Sequence, residues 1–152
     1  MKVLVFGGSG VIGSRFVKEF DAPYTYFKNK IEIPGHKAYK VDIRDRTTTT
    51  KIIEKIKPDT IVHAAAVQSM DMCETDRKLA YELHVNGTKN IVEGSKKIGA
   101  KVVFVSTSAV FDGKKKIYKE DDDTCPVSYY GTTKAEAEEI ISNSPDFIIV
   151  RI

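Results

Sequence analysis

The sequence has 152 residues, of which 41% are hydrophobic, so it is long enough to fold as one compact domain with a substantial core. Its 24 lysines and arginines are interleaved with 21 aspartates and glutamates, and the net charge of +3 is too small to indicate nucleic acid as a partner. The apolar runs are too short for a signal peptide or a membrane span, so we expect a cytoplasmic protein without membrane association.

The predicted elements alternate between strands and helices along the chain. Short continuous apolar runs, typical of strands buried on both faces of a parallel sheet, occupy residues 3–6, 60–66, 101–105 and 147–150. Weaker strand signals, rich in aromatic and β-branched residues, lie at residues 24–27 and 37–41. Helical patterns lie between them at residues 11–20, 47–57, 76–98 and 128–143. This order predicts an α/β domain, a doubly wound parallel sheet (Rossmann fold) with helices on both faces and a crevice beyond the carboxyl ends of the strands.

A glycine-rich turn separates the first predicted strand from the first helix. The segment Gly7-Gly8-Ser9-Gly10-Val11-Ile12-Gly13 has the placement that a dinucleotide phosphate requires. Gly7 would form the tight turn, Gly10 would let the backbone approach the pyrophosphate, and Gly13 would let the helix pack closely on the strand. We therefore predict that Gly7, Ser9, Gly10, Val11, Ile12 and Gly13 bind a dinucleotide cofactor.

The end of the second strand bears on the choice between NADP and NAD. A carboxylate there would bind the ribose 2′-hydroxyl of NAD, but residues 27–30 read Phe-Lys-Asn-Lys. Lys28, together with Arg15 and Lys30, could instead surround a 2′-phosphate, which favours NADP and leaves NAD as the alternative. Lysines that are simply solvated at the surface would give the same sequence.

Polar residues near the third strand and on the long third helix have assignable roles. Asp42 and Ile43 are predicted to meet the adenine edge of the cofactor, with a helix-capping or turn role as the equal alternative. Asn86 and Asn90 lie one helical turn apart and are predicted to hydrogen-bond a backbone carbonyl of a neighbouring loop or strand, with Asn86 serving as scaffold.

The cysteines and histidines do not form a metal-binding pattern. Cys73 and Cys125 are isolated, without a CxxC spacing or clustered histidines nearby. We expect two reduced thiols and no metal site.

Tyr130 and Lys134 are four residues apart and would share one helix face, whereas Tyr129 pairs with the uncharged Thr133. At about 5 Å and an effective dielectric of about 20, the lysine would favour the phenolate by roughly 3 kcal/mol, or about 2 pKa units. That shift would make Tyr130 a better proton relay at neutral pH. The structural alternative is an aromatic residue stacked on a helix beside a lysine that reaches to solvent.

A second polar cluster, Ser106-Thr107-Ser108, follows the fifth strand at the predicted crevice edge. Together with the segments GGSGVIG, HAAA, HVNGTKNIV, STSAVFDG and PVSYYGTTKAEAEE, it resembles the extended short-chain dehydrogenases/reductases in order and spacing over essentially the whole chain. Within that superfamily the sequence is most similar to the dTDP-4-dehydrorhamnose reductases. STSAVFDG is similar to their STDYVFDG, and Asp71-Met72-Cys73-Glu74 is similar to their VDxxE stretch.

The resemblance implies roles for particular residues. Thr107 and Tyr130 would hydrogen-bond the substrate oxygen, and Lys134 would touch the nicotinamide ribose, so all three are predicted to be catalytic and the last two also to bind the cofactor. Ala64, Ala65 and Ala66 would line the cofactor path, whereas His63 is interpreted as a packed residue at the strand end. The implied reaction is the reduction by NADPH of a 4-keto group on a nucleotide-linked deoxy sugar, with a homodimer as one option for assembly.

Two alternatives remain open. Ser108-Ala109 replaces the Asp-Tyr pair of the reductases, which also fits a non-catalytic NADP-binding module similar to the regulatory subunit of methionine adenosyltransferase. A sugar-nucleotide epimerase is disfavoured because Phe111-Asp112-Gly113 replaces the usual Tyr-Gly. An extended family member needs a further substrate-binding lobe that this chain does not contain, so we expect the chain to be the amino-terminal part of a longer protein.

Overall fold

The computed structural model describes residues 1–67 and 69–152, and the strands in these residues form a six-stranded parallel sheet. The strands are β1 (Val3–Phe6), β2 (Tyr24–Tyr26), β3 (Ala38–Lys40), β4 (Thr60–His63), β5 (Lys101–Ser106) and β6 (Phe147–Arg151). Their order in the sheet is β3-β2-β1-β4-β5-β6, which reverses between β1 and β4. The predicted doubly wound sheet is confirmed, and a crevice is expected at that reversal, outside the carboxyl ends of β1 and β4.

Six α-helices, one 3-10 turn and one π turn connect the strands in the described part of the chain. The helices are α1 (Val11–Glu19), α2 (Arg46–Ile56), α3 (Met70–Thr75), α4 (Arg77–Tyr81), α5 (Gly87–Ile98) and α6 (Tyr129–Ser142). A π turn at Glu82–Asn86 joins α4 to α5, and a 3-10 turn at Ser108–Val110 follows β5. The helix predicted over residues 76–98 is thus correct in extent, but periodicity missed both the π turn and the short α3.

Capping residues explain where several helices begin and end. The Asp45 carboxylate accepts the backbone N–H groups of Thr47 and Thr48 at the start of α2. The Ser128 hydroxyl accepts the Gly131 N–H at the start of α6. Gly99, with a φ of 69°, ends α5 in the left-handed conformation that favours glycine.

Both faces of the central strands are covered by helices. Leu4, Phe6 and Ile61 pack with residues of α2 and α5 on one face, whereas Val3 and Val5 pack with α1 on the other. This arrangement explains why β1 and β4 appear in the sequence as continuous apolar runs rather than as alternating ones.

The strand predictions fail in two places. The run at residues 60–66 leaves the sheet after His63, and Ala64–Ala66 line a cavity instead of continuing β4. The run at residues 147–150 was expected to be buried on both faces, but Phe147 and Ile148 are 39% and 46% exposed. In the described residues β6 pairs only with β5, so it lacks the neighbour that buries the central strands.

No helix in residues 1–67 and 69–152 combines the length and apolarity needed to cross a membrane.

Candidate cofactor crevice and active site

Gly7 turns the chain directly after β1. Its φ of +79° lies in the left-handed region, and a Cβ there would lie 2.6 Å from the backbone nitrogen of Ala65. Gly13 lies in the first turn of α1, where a Cβ would overlap the carbonyl group of Gly7. Only glycine fits both positions, and the close contact brings the positive end of the α1 dipole to the carboxyl edge of the sheet.

A cavity of about 530 Å³ lies at the carboxyl ends of β1 to β4. Its volume is in the range of small-molecule sites, roughly 300 to 1,000 Å³. The loops after these four strands contribute Gly7, Ser9, Gly10, Phe27, Lys28, Asp42, Ile43, Arg44, Ala64, Ala65, Ala66 and Val67. Met72, Leu79 and Leu83 add an apolar wall from the helices and π turn that follow β4. The cavity therefore joins the predicted phosphate turn to the predicted adenine position and to the three alanines after β4.

Phe27, which follows β2 at the cavity wall, has two cations near its ring. The Lys28 ammonium is 5.9 Å and the Arg44 guanidinium 5.4 Å from the ring centroid. Arg44 also donates to both oxygens of Asp42, with a shortest distance of 2.6 Å, and this contact holds the pKa of Asp42 below its usual value. Sequence reasoning missed Arg44, and the predicted Lys30 pairs with Glu32 at 3.1 Å.

The loop after β3 is held from α5. The side-chain amide of Asn90 donates to the carbonyl oxygens of Ile43 and Arg44 at 2.9 and 3.1 Å. Asn90 thus makes the predicted contact with a neighbouring loop. The Asp42 carboxylate accepts the backbone N–H of Arg44, so it performs the predicted turn role while also bordering the cavity.

Thr107 and Tyr130 meet at the carboxyl end of β5. Thr107 is the first residue after β5, and its hydroxyl accepts the Ala109 N–H at 3.2 Å. Tyr130 lies in the first turn of α6. Burial raises the pKa of Tyr130, and the nearby Thr107 hydroxyl acts in the opposite direction. The phenol is therefore protonated at neutral pH and close to the Thr107 hydroxyl.

Lys134 does not tune Tyr130 as expected. Its side chain is 3% exposed, and its ammonium donates to the Val105 carbonyl at 2.7 Å, 4.0 Å from the centroid of the Phe104 ring. Burial lowers the pKa of Lys134 to about 7, against the opposing effect of Glu138. The prediction that Lys134 lowers the pKa of Tyr130 is wrong in this structure, because desolvation dominates both groups.

His84 connects the loop after β4 to α6. Its Nε2 lies 3.0 Å from the backbone nitrogen of Val67, and its Nδ1 lies 2.8 Å from the Thr133 hydroxyl. The imidazole also meets the Tyr130 ring edge-on, with 5.6 Å between centroids. No role for His84 was predicted, because its spacing from Tyr130 carries no pattern in the sequence.

Glu74 reaches the amino end of α6 from α3. Its carboxylate accepts the Tyr129 backbone N–H at 2.7 Å and pairs with Arg77 at 2.9 Å. The Arg77 guanidinium in turn stacks 4.8 Å from the Tyr129 ring centroid. These contacts lower the pKa of Glu74, the Tyr129 N–H having the largest effect. An anion at a helix amino end is favourable, so Glu74 stabilises the turn that carries Tyr130.

A buried ion pair fixes the far side of α6. The Glu138 and Arg151 side chains are only 6% and 21% exposed, and Arg151 Nη2 lies 2.7 Å from Glu138 Oε2. The Ser106 hydroxyl donates to the same carboxylate. Since Ser106 ends β5 and Arg151 ends β6, Glu138 joins α6 to two strand ends next to Thr107.

His63 is fully buried at the end of β4, as interpreted from the sequence, with its Nε2 2.9 Å from the Thr88 hydroxyl. Burial and nearby Lys134 lower its pKa well below the ordinary value. Cys73 is a buried free thiol and Cys125 an exposed one. Among the described residues no group of histidine, cysteine and carboxylate side chains could hold a metal ion.

The predicted cofactor residues separate into three groups. Gly7, Ser9, Gly10, Lys28, Asp42 and Ile43 border the cavity with the three alanines after β4. Val11 is 77% exposed, whereas Ile12 packs into the core and Gly13 lies against the turn. Thr107, Tyr130 and Lys134 lie one strand further along the same edge. The catalytic roles of all three, and the cofactor-binding roles of Tyr130 and Lys134, remain predictions.

Residues 1–152, the whole chain, match the family described as the RmlD substrate binding domain. The dTDP-4-dehydrorhamnose reductase of Aggregatibacter actinomycetemcomitans is 32% identical over 152 residues, covering 99% of this chain and 50% of the relative. Methionine adenosyltransferase 2 subunit beta of Pongo abelii is 30% identical over 159 residues, covering 99% and 46%. The chain thus spans about half the length of these curated relatives.

Solved structures share the fold. A hypothetical dTDP-4-dehydrorhamnose reductase from Sulfolobus tokodaii is 34% identical with a TM-score of 0.89, covering 99% of this chain and 55% of that one. The dTDP-4-dehydrorhamnose reductase from Bacillus anthracis, in complex with NADP, is 28% identical with a TM-score of 0.83, covering 99% and 53%. A UDP-glucose 4-epimerase from Thermus thermophilus, in complex with NAD, is 26% identical with a TM-score of 0.88, covering 99% and 54%. The predicted resemblance to the dTDP-4-dehydrorhamnose reductases is confirmed, and the chain belongs to the RmlD substrate-binding-domain family.

Proposed function

We propose that this chain is the cofactor-binding half of a cytoplasmic reductase that uses NADPH, with NADH as the alternative, to reduce the 4-keto group of a nucleotide-linked deoxy sugar such as dTDP-4-dehydrorhamnose. One observation carries the proposal. The glycine-lined cavity and the Thr107–Tyr130 pair lie at the same carboxyl edge of the sheet, on the adjacent strands β4 and β5.

The residues around the cavity fit a dinucleotide. A Cβ at Gly7 or Gly13 would overlap neighbouring backbone atoms, so only glycine allows the tight turn that sets the amino end of α1 beside the cavity. The amino end of α1 offers unpaired N–H groups and a positive dipole to a pyrophosphate. The small side chains of Ala64, Ala65 and Ala66 leave room along the cavity between this turn and β5.

The described side chains suit carbonyl reduction. When bound, NADPH supplies a hydride to the carbonyl carbon. Tyr130, kept protonated by burial, would donate its phenolic proton to the carbonyl oxygen, and the Thr107 hydroxyl would steady the developing negative charge. Lys134 would replace its hydrogen bond to the Val105 carbonyl by one to a ribose hydroxyl, so the nearly buried amine would keep a polar partner.

A stepwise titration tests the proposal on the protein with its full substrate-binding region. NADPH and NADH are titrated separately, and dTDP-4-dehydrorhamnose is then added while the nicotinamide absorbance is followed. We expect tighter binding of NADPH and loss of absorbance only after the sugar is added. If neither dinucleotide binds, the cofactor site is refuted, whereas binding without consumption would refute the reductase activity.

A non-catalytic function is the second candidate. Its support is the 30% identity to a methionine adenosyltransferase 2 subunit beta, together with Ser108-Ala109 at the position where the reductases carry Asp-Tyr. In that case NADPH would bind without turnover of keto-sugars, and a partner enzyme would co-purify with the protein. Robust reduction of a keto-sugar would exclude this candidate.

A further inference from the structure

His84 contacts Tyr130 by two independent routes. Its ring meets the Tyr130 ring edge-on, at an interplanar angle of 81°. Its Nδ1 also lies 2.8 Å from the Thr133 hydroxyl, which donates to the Tyr130 carbonyl oxygen at 2.9 Å. One buried imidazole therefore touches the phenol ring and, through Thr133, the backbone of the proposed proton donor.

The hydrogen bonds around His84 favour one tautomer. If Nε2 is unprotonated, it accepts the Val67 N–H, and the proton on Nδ1 is donated to the Thr133 hydroxyl, which is then free to donate to Tyr130. The opposite tautomer would donate from Nε2 to the Val67 carbonyl at 3.1 Å. It would leave the Val67 N–H without that acceptor and withdraw the Thr133 proton from Tyr130. The first arrangement satisfies more buried groups, so it is preferred.

The π turn places His84 between the two regions. His84 is the middle residue of Glu82–Asn86, where Leu83 borders the cavity and His84 faces α6. Val67, its other partner, borders the cavity as well. A π turn adds a residue to a helical turn and occurs frequently at functional sites. Here the added residue allows Leu83 to reach the cavity while the adjacent His84 reaches α6.

We propose that His84 is a positioning residue, whose neutral imidazole ties the loop after β4 to the first turn of α6 and so fixes Tyr130 relative to the cofactor cavity. The proposal rests on the proposed function, because it assumes that Tyr130 is the proton donor. Burial together with Lys134 lowers the pKa of His84 to about 4, against the opposing effect of the Val67 backbone. The imidazole is therefore neutral at pH 6 to 8, and the bridge remains intact there.

His84→Phe tests the proposal because it keeps an aromatic ring against Tyr130 but removes both hydrogen bonds. We expect kcat to fall by about tenfold to a hundredfold, with a smaller change in the affinity for NADPH. Thr133→Val should lower kcat similarly. The double variant should be no worse than the more damaging single variant, because both changes break one bridge. Ser95→Ala serves as the control, since it removes a buried hydroxyl from α5 that donates to the Val92 carbonyl within the same helix.

A kcat for His84→Phe equal to that of the control, or fully additive losses in the double variant, would overturn the proposal. A parallel fall in NADPH affinity and kcat would also overturn it, since that pattern indicates general damage.

Nuclear magnetic resonance of isotope-labelled histidine and tyrosine tests the bridge even if the protein reduces no sugar. We expect a neutral His84 with its proton on Nδ1 at pH 6 to 8, and a displaced Tyr130 signal in His84→Phe. A proton on Nε2, or an unchanged Tyr130 signal, contradicts the bridge. Such a result leaves the cofactor and reductase hypotheses to the separate titration.

Discussion

The cofactor crevice and the Tyr130 region lie side by side on one sheet edge but are built on different principles. The crevice is an open cavity shaped by backbone turns, glycines and alanines after β1 and β4. The Tyr130 region is a dense cluster in which His84, Lys134 and Glu138 are all less than 9% exposed. A long ligand is bound by a cavity of matching shape with a few hydrogen-bond donors. Proton transfer instead requires groups whose protonation state depends on the surrounding dielectric.

Tyr130→Phe should have the largest effect and should confine the damage to proton transfer. Removing a general acid typically costs about a hundredfold to ten-thousandfold in rate, so kcat should fall by that amount while NADPH affinity is retained. Steady-state kinetics and a binding titration measure the two effects. Tyr129→Phe is the control, because the Tyr129 contact with Glu74 uses its backbone. Equal losses in both variants would remove Tyr130 from the mechanism.

Gly7→Ala should destabilise the crevice through backbone strain. The free energy lost should be comparable to the transition-state stabilisation lost in Tyr130→Phe. The left-handed φ and the contact with Ala65 together should lower the free energy of unfolding by about 3 kcal/mol or more. Gly35→Ala is the matched control, because Gly35 has a φ of +83° but, among the described residues, no atom within 4 Å of the place where a methyl group would lie. We expect a loss there of only about 1 kcal/mol. Urea unfolding measures both, and equal losses would show that close contact at Gly7 is unimportant.

Glu138→Gln should reveal how strongly the Tyr130 region depends on buried charge. The substitution leaves Arg151 without its carboxylate in a mostly buried position, so we expect a loss of about 2 to 3 kcal/mol in urea unfolding. Glu54→Gln breaks the exposed pair with Lys97 and should cost less than about 1 kcal/mol. Losses of the same size would mean that burial does not strengthen the pair.

The buried Lys134 should cause a smaller effect, a dependence of the free energy of unfolding on pH. Its pKa is about 7 in the folded protein and near the ordinary 10.5 when unfolded, so the unfolded chain binds more protons between these values. Stability attributable to Lys134 should therefore rise with pH across this window, by at most about 1.4 kcal/mol per pH unit. Below pH 7 the group is protonated in both states, and its desolvation cost is fully present.

Lys134→Met should remove that slope, and at pH 7 the variant should be at least as stable as the original protein, although catalytically impaired. Urea unfolding at several pH values measures the slope in both proteins. An unchanged slope in the variant would mean that Lys134 is not the group that titrates.

The crevice could be predicted from sequence in considerable detail. Gly7 and Gly13 have backbone requirements that only glycine meets, and the order of apolar runs specifies which strand ends gather at one edge. Arg44 escaped prediction because its contact with Phe27 depends on how the ends of β2 and β3 lie together. Nothing in the local sequence distinguishes it from a surface arginine.

Tyr130 and Lys134 could be identified from the sequence as the central residues of the Tyr130 region, but their electrostatic interactions could not be predicted. The four-residue spacing of Tyr130 and Lys134 correctly placed both on α6, yet it implied an attraction that the structure does not show. The Lys134 ammonium turns to the Val105 carbonyl, and burial governs its pKa. His84, Glu74 and Glu138 reach α6 or the strand ends through contacts that spacing along the chain cannot reveal.

The amino-acid sequence by itself determined the strand and helix order, the glycine turn and the family, because these follow from local conformational preference and hydrophobic pattern. Only the tertiary structure decided which groups are desolvated, where the Lys134 ammonium points and which residues hold Tyr130. Those properties depend on distances between segments that lie far apart in the chain, and the strength of an electrostatic interaction depends on burial as well as on distance.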